Sequence, residues 1–290
     1  MSDQLTYIFE GLNPEQKDAV THIDGPLLVI AGAGSGKTRV LTNRIAYFIH
    51  QGIPASNILA VSFTNKSSNE MNEIVQKLLA SAPTSHSSPL DVQPTIGTFH
   101  AVCMRFLRVY AHMLGFENAF VIYDTADQEA LMKSITKDMN LTEKVFAPRA
   151  VLSKISQAKN HLIGPEEFLS KAENQFMMMA GQCYREYQQR LKLSAALDFD
   201  DIIMKTIELF RTHPEVLERY QEQYRYIMVD EYQDTNYAQY VLVDLLSKRY
   251  QNLMVVGDSD QSIYGFRGAN ASNILDFEKD YPEAKVVKME

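Results

Sequence analysis

Short apolar, β-branched runs alternate with helix-length segments along the first hundred residues. "PLLVIA" (26–31) reads as a strand, followed by a helix from Gly36 to His50. "ILAVSFT" (58–64) is a second strand, with a helix over Lys66 to Ala80 behind it. A third, "TIGTF" (95–99), runs into a helix of apolar and basic residues ending near Gly115. Such alternation predicts a parallel sheet with crossover helices. "SAPTSHSSPLDVQP" (81–94), rich in Ser and Pro, reads as a mobile surface loop. From about 112 to 195 helical periodicity takes over, as in "TADQEALMKSITKDMN" and "RAVLSKISQAKNHL", broken at Pro148 and by "GPEE". Strands then return, with "YRYIMVD" (224–230) and "NLMVVGD" (252–258) flanking a helix. The pattern predicts one α/β sheet domain, 1–111 with 196–290, interrupted by a mostly helical subdomain at 112–195. There is no internal repeat.

Composition narrows the class. With 290 residues and 46% hydrophobic content, the chain can build one large core or two smaller ones. Cys103 and Cys183 match no metal spacing, no secretory signal pattern opens the sequence, and no apolar stretch is long enough to span a bilayer. A cytoplasmic protein with reduced thiols and no membrane partner is expected. The formal charge of −8 weighs mildly against nucleic acid without excluding it, since local basic and aromatic residues can bind a strand under an acidic total.

The chemistry starts at "AGAGSGKT" (31–38). Gly32, Gly34 and Gly36, with Ala31, Ala33 and Ser35 between them, allow a backbone path that points N–H groups at an anion, at the N-terminus of a helix. Lys37 adds a mobile positive charge for outer phosphates, and Thr38 a hydroxyl for Mg²⁺. Ala31 stands where the usual pattern has Gly, which suits a position of negative φ. Arg39, at the start of the helix, is expected to face the base or sugar of a nucleotide. In "IMVDEYQDT" (227–235) an apolar strand ends in two carboxylates. Asp230 suits Mg²⁺ and Glu231 suits the attacking water. In "VVGDSDQSIYGFRGA" (255–269), Gln261 can hydrogen-bond a γ-phosphate or its water. Tyr264, Phe266 and Arg267 close by suit base stacking, although a core role for the aromatics fits as well.

Two further strand ends, "SFTNKSSNEM" (62–71) and "GTFHAVC" (97–103), carry Phe63, Thr64, Asn65, Lys66, Thr98 and His100. These can meet the backbone or bases of a strand, while helix capping by Asn65 and Thr98 and a core role for His100 fit equally. In "LNPEQ" (12–16), Asn13 suits a helix cap and Pro14 its first turn, leaving Gln16 free to read an adenine edge.

Taken in order, these six stretches resemble the motifs of superfamily 1 DNA helicases of the UvrD, Rep and PcrA kind, and "LDFDDII" (197–203) fits the same pattern. The resemblance covers nearly the whole chain. It implies a RecA-like ATP-binding domain of the P-loop NTPase class with a helical insertion, using ATP and Mg²⁺. The activity implied is translocation on single-stranded DNA, typically 3′ to 5′, with unwinding of duplex DNA, in DNA repair or replication. "LNPEQ" would read adenine, "SFTNKSSNEM" and "GTFH" the strand, "DEYQDT" would hold Mg²⁺ and supply the base, and "GDSDQSIYGFRGA" would couple the two. Phe266 stands where tryptophan is common, and Ser67 and Ser68 replace a small apolar pair, a change expected to be neutral.

The family pattern continues past "KVVKME" into a second RecA-like domain carrying arginines that complete the site. Such a domain is expected C-terminal to residue 290, and the chain alone is expected to be nearly inactive and monomeric. The alternatives are the motor of a RecB/AddA-like helicase–nuclease, a small-molecule kinase built on the same loop, and an ATP-gated binding module.

Overall fold

The computed structural model describes residues 5–32, 34–81, 93–116, 119–258 and 273–289, with side chains in the last stretch from 276 onward. Ala33, Gln261, Tyr264, Phe266, Arg267 and most of the Ser/Pro-rich loop (82–92) lie outside the described residues. Among the described residues eight strands form: β1 (Leu27–Ala31), β2 (Ile58–Ser62), β3 (Thr95–Thr98), β4 (Val121–Ile122), β5 (Ala196–Leu197), β6 (Tyr226–Val229), β7 (Leu253–Gly257) and β8 (Lys285–Met289). Six of them make one sheet in the order β3-β2-β6-β7-β1-β8, and every pairing in it is parallel. β2 and β7 are buried along their whole length, as apolar runs covered on both faces must be. Because all six strands point the same way, their carboxyl ends share one edge of the sheet. This is the α/β architecture expected of a RecA-like domain.

Two compact units divide the chain. The first comprises residues 1–102, 214–235 and 243–290, and the second 103–213 with 236–242. In the first, Leu27, Val29, Ile58, Ala60, Met228, Met254 and Val256 of the sheet pack with Leu41, Ile45 and Phe48 of the helix Lys37–His50. Met71 and Val75 of the helix Asn65–Ala80 join the same core. Fully burying such side chains contributes roughly 1.5–3 kcal/mol each.

In the second unit, the helices Thr125–Asp138, Pro148–Asn160 and Gln175–Leu193 share a core of Met132, Ile135, Val151, Ile155, Ala180, Tyr184 and Tyr187. Their starts follow local rules: a capping box at Asp124, proline at the first helical position at Pro148, and a side-chain cap at Asn174. This unit also carries the small parallel pair β4–β5. Its limits differ from the sequence-based boundaries at 112 and 195, because residues 196–213 go with the helical unit. There the Lys159 ammonium meets the carboxylates of Asp198 and Asp201 at 2.7 and 2.9 Å.

β8 is a strand that the pattern reading did not predict. Among the described residues, no helix is long and apolar enough to cross a membrane.

Candidate active site

β1 delivers the chain to the glycine-rich loop at the carboxyl edge of the sheet. Ala31 is the last residue of the strand, buried, and not among the residues with positive φ, so a methyl group there carries no backbone strain. Gly34 (φ 76°) and Gly36 (φ 87°) take left-handed conformations that glycine adopts freely. Gly36 caps the helix Lys37–His50 without a side chain, so the cap residue itself supplies no acceptor to the first-turn N–H groups. An uncapped N-terminus after a glycine loop suits phosphate oxygens, which is the fit that a nucleotide requires. Thr38, in the first turn, is partly exposed.

Gln16 is not free in the way the sequence suggested. The helix Pro14–Thr21 does begin with Asn13 as its cap, but Gln16 closes the capping box. Its Oε1 accepts from the Asn13 N–H at 3.0 Å, while Nε2 donates to the Ser35 carbonyl at 2.8 Å. The amide therefore clamps the phosphate loop, and it is 9% exposed. Arg39 is exposed, and its Nη2 donates to the Glu10 carbonyl at 2.7 Å. Gly11 packs so tightly beside it that a Cβ there would lie 2.7 Å from that nitrogen.

β6 brings the acidic pair to the same edge, two strands from β1. Asp230 is 3% exposed, and its carboxyl is pushed up to about 6, first by burial and then by the charge of Glu231. Its Oδ1 accepts the Glu231 N–H at 3.0 Å. The Ser67 hydroxyl lies 3.5 Å from Asp230 Oδ2, the outer limit of a hydrogen bond. Glu231 follows with φ 50° and ψ 46°, a left-handed conformation that a non-glycine residue adopts only at a cost of about 1–3 kcal/mol. That turn aims the carboxylate at the phosphate loop: Lys37 Nζ lies 3.4 Å from Glu231 Oε2.

The other strand ends contribute less chemistry of their own. Thr64 caps the helix Asn65–Ala80 by accepting from the Ser67 N–H at 3.1 Å, so the cap is Thr64 and not Asn65. Thr64, Asn65 and Lys66 are exposed, and Phe63 is partly so. Thr98 is buried and accepts from the Ala101 N–H at 3.2 Å, the capping role foreseen for it; His100 is partly exposed. Among the described residues there is no cluster of three or more His, Cys, Asp or Glu able to hold a metal. A cation at this edge would take its oxygens from Asp230, Thr38 and phosphate.

One residue of this edge escaped the sequence reading. Gln233, in the turn Tyr232–Asp234, donates to Glu231 Oε2 at 2.8 Å and accepts from the Asp258 N–H at 3.0 Å. Its place inside "DEYQDT" was the one available signal.

The family described as the UvrD/REP helicase N-terminal domain matches residues 12–282. The chain is 51% identical to the ATP-dependent DNA helicase PcrA of Bacillus subtilis (strain 168), over 100% of this chain and 38% of that protein. It is 48% identical to the PcrA of Leuconostoc citreum, over 97% of this chain and 37% of that one. For the PcrA of Staphylococcus aureus (strain Mu50) the identity is 49%, over 99% and 38%. The chain thus spans 37–38% of the length of these relatives.

Proposed function

Since the chain belongs to the UvrD/REP helicase family and matches its N-terminal domain, we propose that it is the first, ATP-binding half of a DNA helicase motor. The observation that carries this reading is the approach of Lys37 Nζ to Glu231 Oε2, 3.4 Å apart, which joins the phosphate loop to the acidic strand end. ATP is the nucleotide, its phosphates cradled by residues 31–38 with Lys37 turning from Glu231 to the outer phosphates. Thr38 and Asp230 would hold Mg²⁺, whose charge would offset the burial and the neighbouring Glu231 that push the Asp230 carboxyl up. The bound ion supplies charge neutralisation between phosphate oxygens.

Glu231 orients the attacking water and accepts its proton, and Gln261 senses the γ-phosphate. Gln16 and Arg39 stand on the base and sugar side. The strand of DNA runs over Phe63, Thr64, Asn65, Lys66, Thr98, His100, Tyr264, Phe266 and Arg267. A second RecA-like domain, outside this chain, supplies the arginines that complete the site. The whole protein moves 3′ to 5′ on single-stranded DNA and opens duplex DNA, as a cytoplasmic monomer serving repair or replication. The strand-bearing unit, residues 1–102, 214–235 and 243–290, is the RecA-like domain, and residues 103–213 with 236–242 are its insertion. Identity near 50% to PcrA proteins favours this over the helicase–nuclease alternative.

The test is ATPase activity of the protein as its gene encodes it, with and without oligo-dT, beside Glu231→Gln. The variant should bind ATP normally and lose about 10²–10⁴ in turnover, since an amide cannot accept the water's proton. Turnover within a few-fold of wild type would rule Glu231 out as the base.

A further inference from the structure

We propose that Gln233 is the positioning residue for the Glu231 carboxylate, fixing it to the carboxyl end of β7. The proposal rests on Glu231 being the base. Gln233 is 2% exposed, and its single amide works at both ends. Nε2 donates to Glu231 Oε2 at 2.8 Å, with Asp234 Oδ2 as a second, longer acceptor at 3.5 Å. Oε1 accepts from the backbone N–H of Asp258 at 3.0 Å. One buried side chain thus spans the ends of two neighbouring strands, β6 and β7.

The need for such a holder follows from Lys37. Gln233 donates to the same Glu231 oxygen that Lys37 approaches as an ion pair. The lysine must leave that oxygen to reach a phosphate, and Gln233 is then the remaining side-chain donor on the carboxylate among the described residues. Glu231 itself has a partly exposed side chain on a left-handed backbone, so without a second contact its carboxylate would sample several rotamers. A neutral donor suits the task, because it orients the carboxylate without cancelling the charge that attracts a proton. Rigid support of this kind is what holds a reacting group in productive geometry. The far end of the amide sits at the end of β7, on the Asp258 N–H.

Two variants separate positioning from simple structural tying. Gln233→Met removes both ends of the amide at similar volume. Gln233→Glu keeps an acceptor for the Asp258 N–H but replaces the donor to Glu231 by a second carboxylate. In DNA-stimulated ATPase assays of the whole protein, both should lower kcat about 10- to 100-fold, with KM for ATP within about threefold. In the Glu231→Gln background, Gln233→Met should change residual turnover by less than about twofold, because the two residues act as one unit. Wild-type kcat in Gln233→Glu, or losses that multiply in the double variant, would overturn the proposal even where Glu231→Gln is inactive. An active Glu231→Gln instead removes the base assignment, and the role of Gln233 with it. Should Gln233→Met fail to fold, Gln233→Glu decides alone.

Discussion

Replacing Lys159 with methionine should destabilise the helical unit by about 4 kcal/mol at neutral pH, and by much less at pH 5. The ammonium is buried, and its partners Asp198 and Asp201, at 2.7 and 2.9 Å, have side-chain exposures of only 3% and 0%. Each carboxylate has further donors. Asp198 accepts from the Tyr187 hydroxyl at 3.0 Å and the Asp201 N–H at 2.8 Å. Asp201 accepts from the Gln188 amide at 3.2 Å and the Asp198 N–H at 3.3 Å. These neutral donors cannot replace the cation, whose loss leaves two like charges side by side away from water. Removing one member of a buried ion pair typically costs about 3–5 kcal/mol.

A second route gives a similar figure. Taking up one proton restores the original net charge of the cluster. From an ordinary carboxyl value near 3.9, that costs roughly 1.36 kcal/mol per pH unit, about 4 kcal/mol at pH 7 and about 1.5 at pH 5. The sign follows from proton counting: the folded variant holds a proton that the unfolded chain has released, so its stability falls as pH rises from 5 to 7. Urea unfolding followed by circular dichroism at pH 5, 6 and 7, wild type against variant, measures the deficit. Adding Asp201→Asn to Lys159→Met should recover most of it at pH 7, since the amide oxygen still accepts and one charge is gone. A deficit that stays constant across pH 5–7, or is below about 1 kcal/mol throughout, would refute the reasoning, because water would then be reaching the carboxylates.

Lys37→Ala should weaken Mg·ATP binding at least about tenfold yet barely move the melting temperature, since its partly exposed contact with Glu231 is worth about 1 kcal/mol or less; calorimetric titration and thermal melting read the two, and unchanged affinity sinks the phosphate-loop assignment. Gly36→Ala should lose about 1–3 kcal/mol of stability together with nucleotide affinity, because φ is +87° and the new Cβ would sit 2.9 Å from Gln16 Nε2. An alanine variant with wild-type melting and affinity would contradict that geometry. Asp200→Asn should stabilise the protein by about 1–3 kcal/mol at pH 7 and flatten its stability profile between pH 4 and 6. Burial, then Asp198, push the Asp200 carboxyl up to about 6, so stability is lost as pH rises through that value; urea midpoints across pH 4–7 check it.

The strand ends that carry the candidate site were legible because their pattern is written in contiguous sequence. A doubly covered parallel strand must be apolar throughout, so "LLVIA", "YIMV" and "LMVVG" announce themselves, and the polar residues that follow mark the edge where ligands bind. β8 stayed hidden for the opposite reason. As an edge strand it buries only alternate residues, so "KVVKM" lacks the continuous apolar run that marks the inner strands. Boundaries erred by one or two residues at either end, and several predicted strands ran on into the site, as at Phe63 and Asp230. There the side chains still look strand-like while the backbone has already turned.

Supporting residues were harder, since their partners come from elsewhere in the chain. Nothing in "SQAKNHL" marks Lys159 as buried, and nothing in "LDFDD" names it as the cation for Asp198 and Asp201. Gln16 offers the same lesson in reverse. Its position after Asn13 and Pro14 predicts a helix start, but a capping box uses up the carbonyl, and the amide left over finds the Ser35 carbonyl before any ligand. Gln233 joins both cases. It follows Asp230 and Glu231, the two acids that the sequence reading singled out, while its proposed function depends on the Asp258 N–H, which only the register of β6 beside β7 brings within reach. Local sequence thus specifies which groups react, and the strand order specifies which groups hold them. Substitutions at the holders should therefore lower rate without abolishing the nucleotide site.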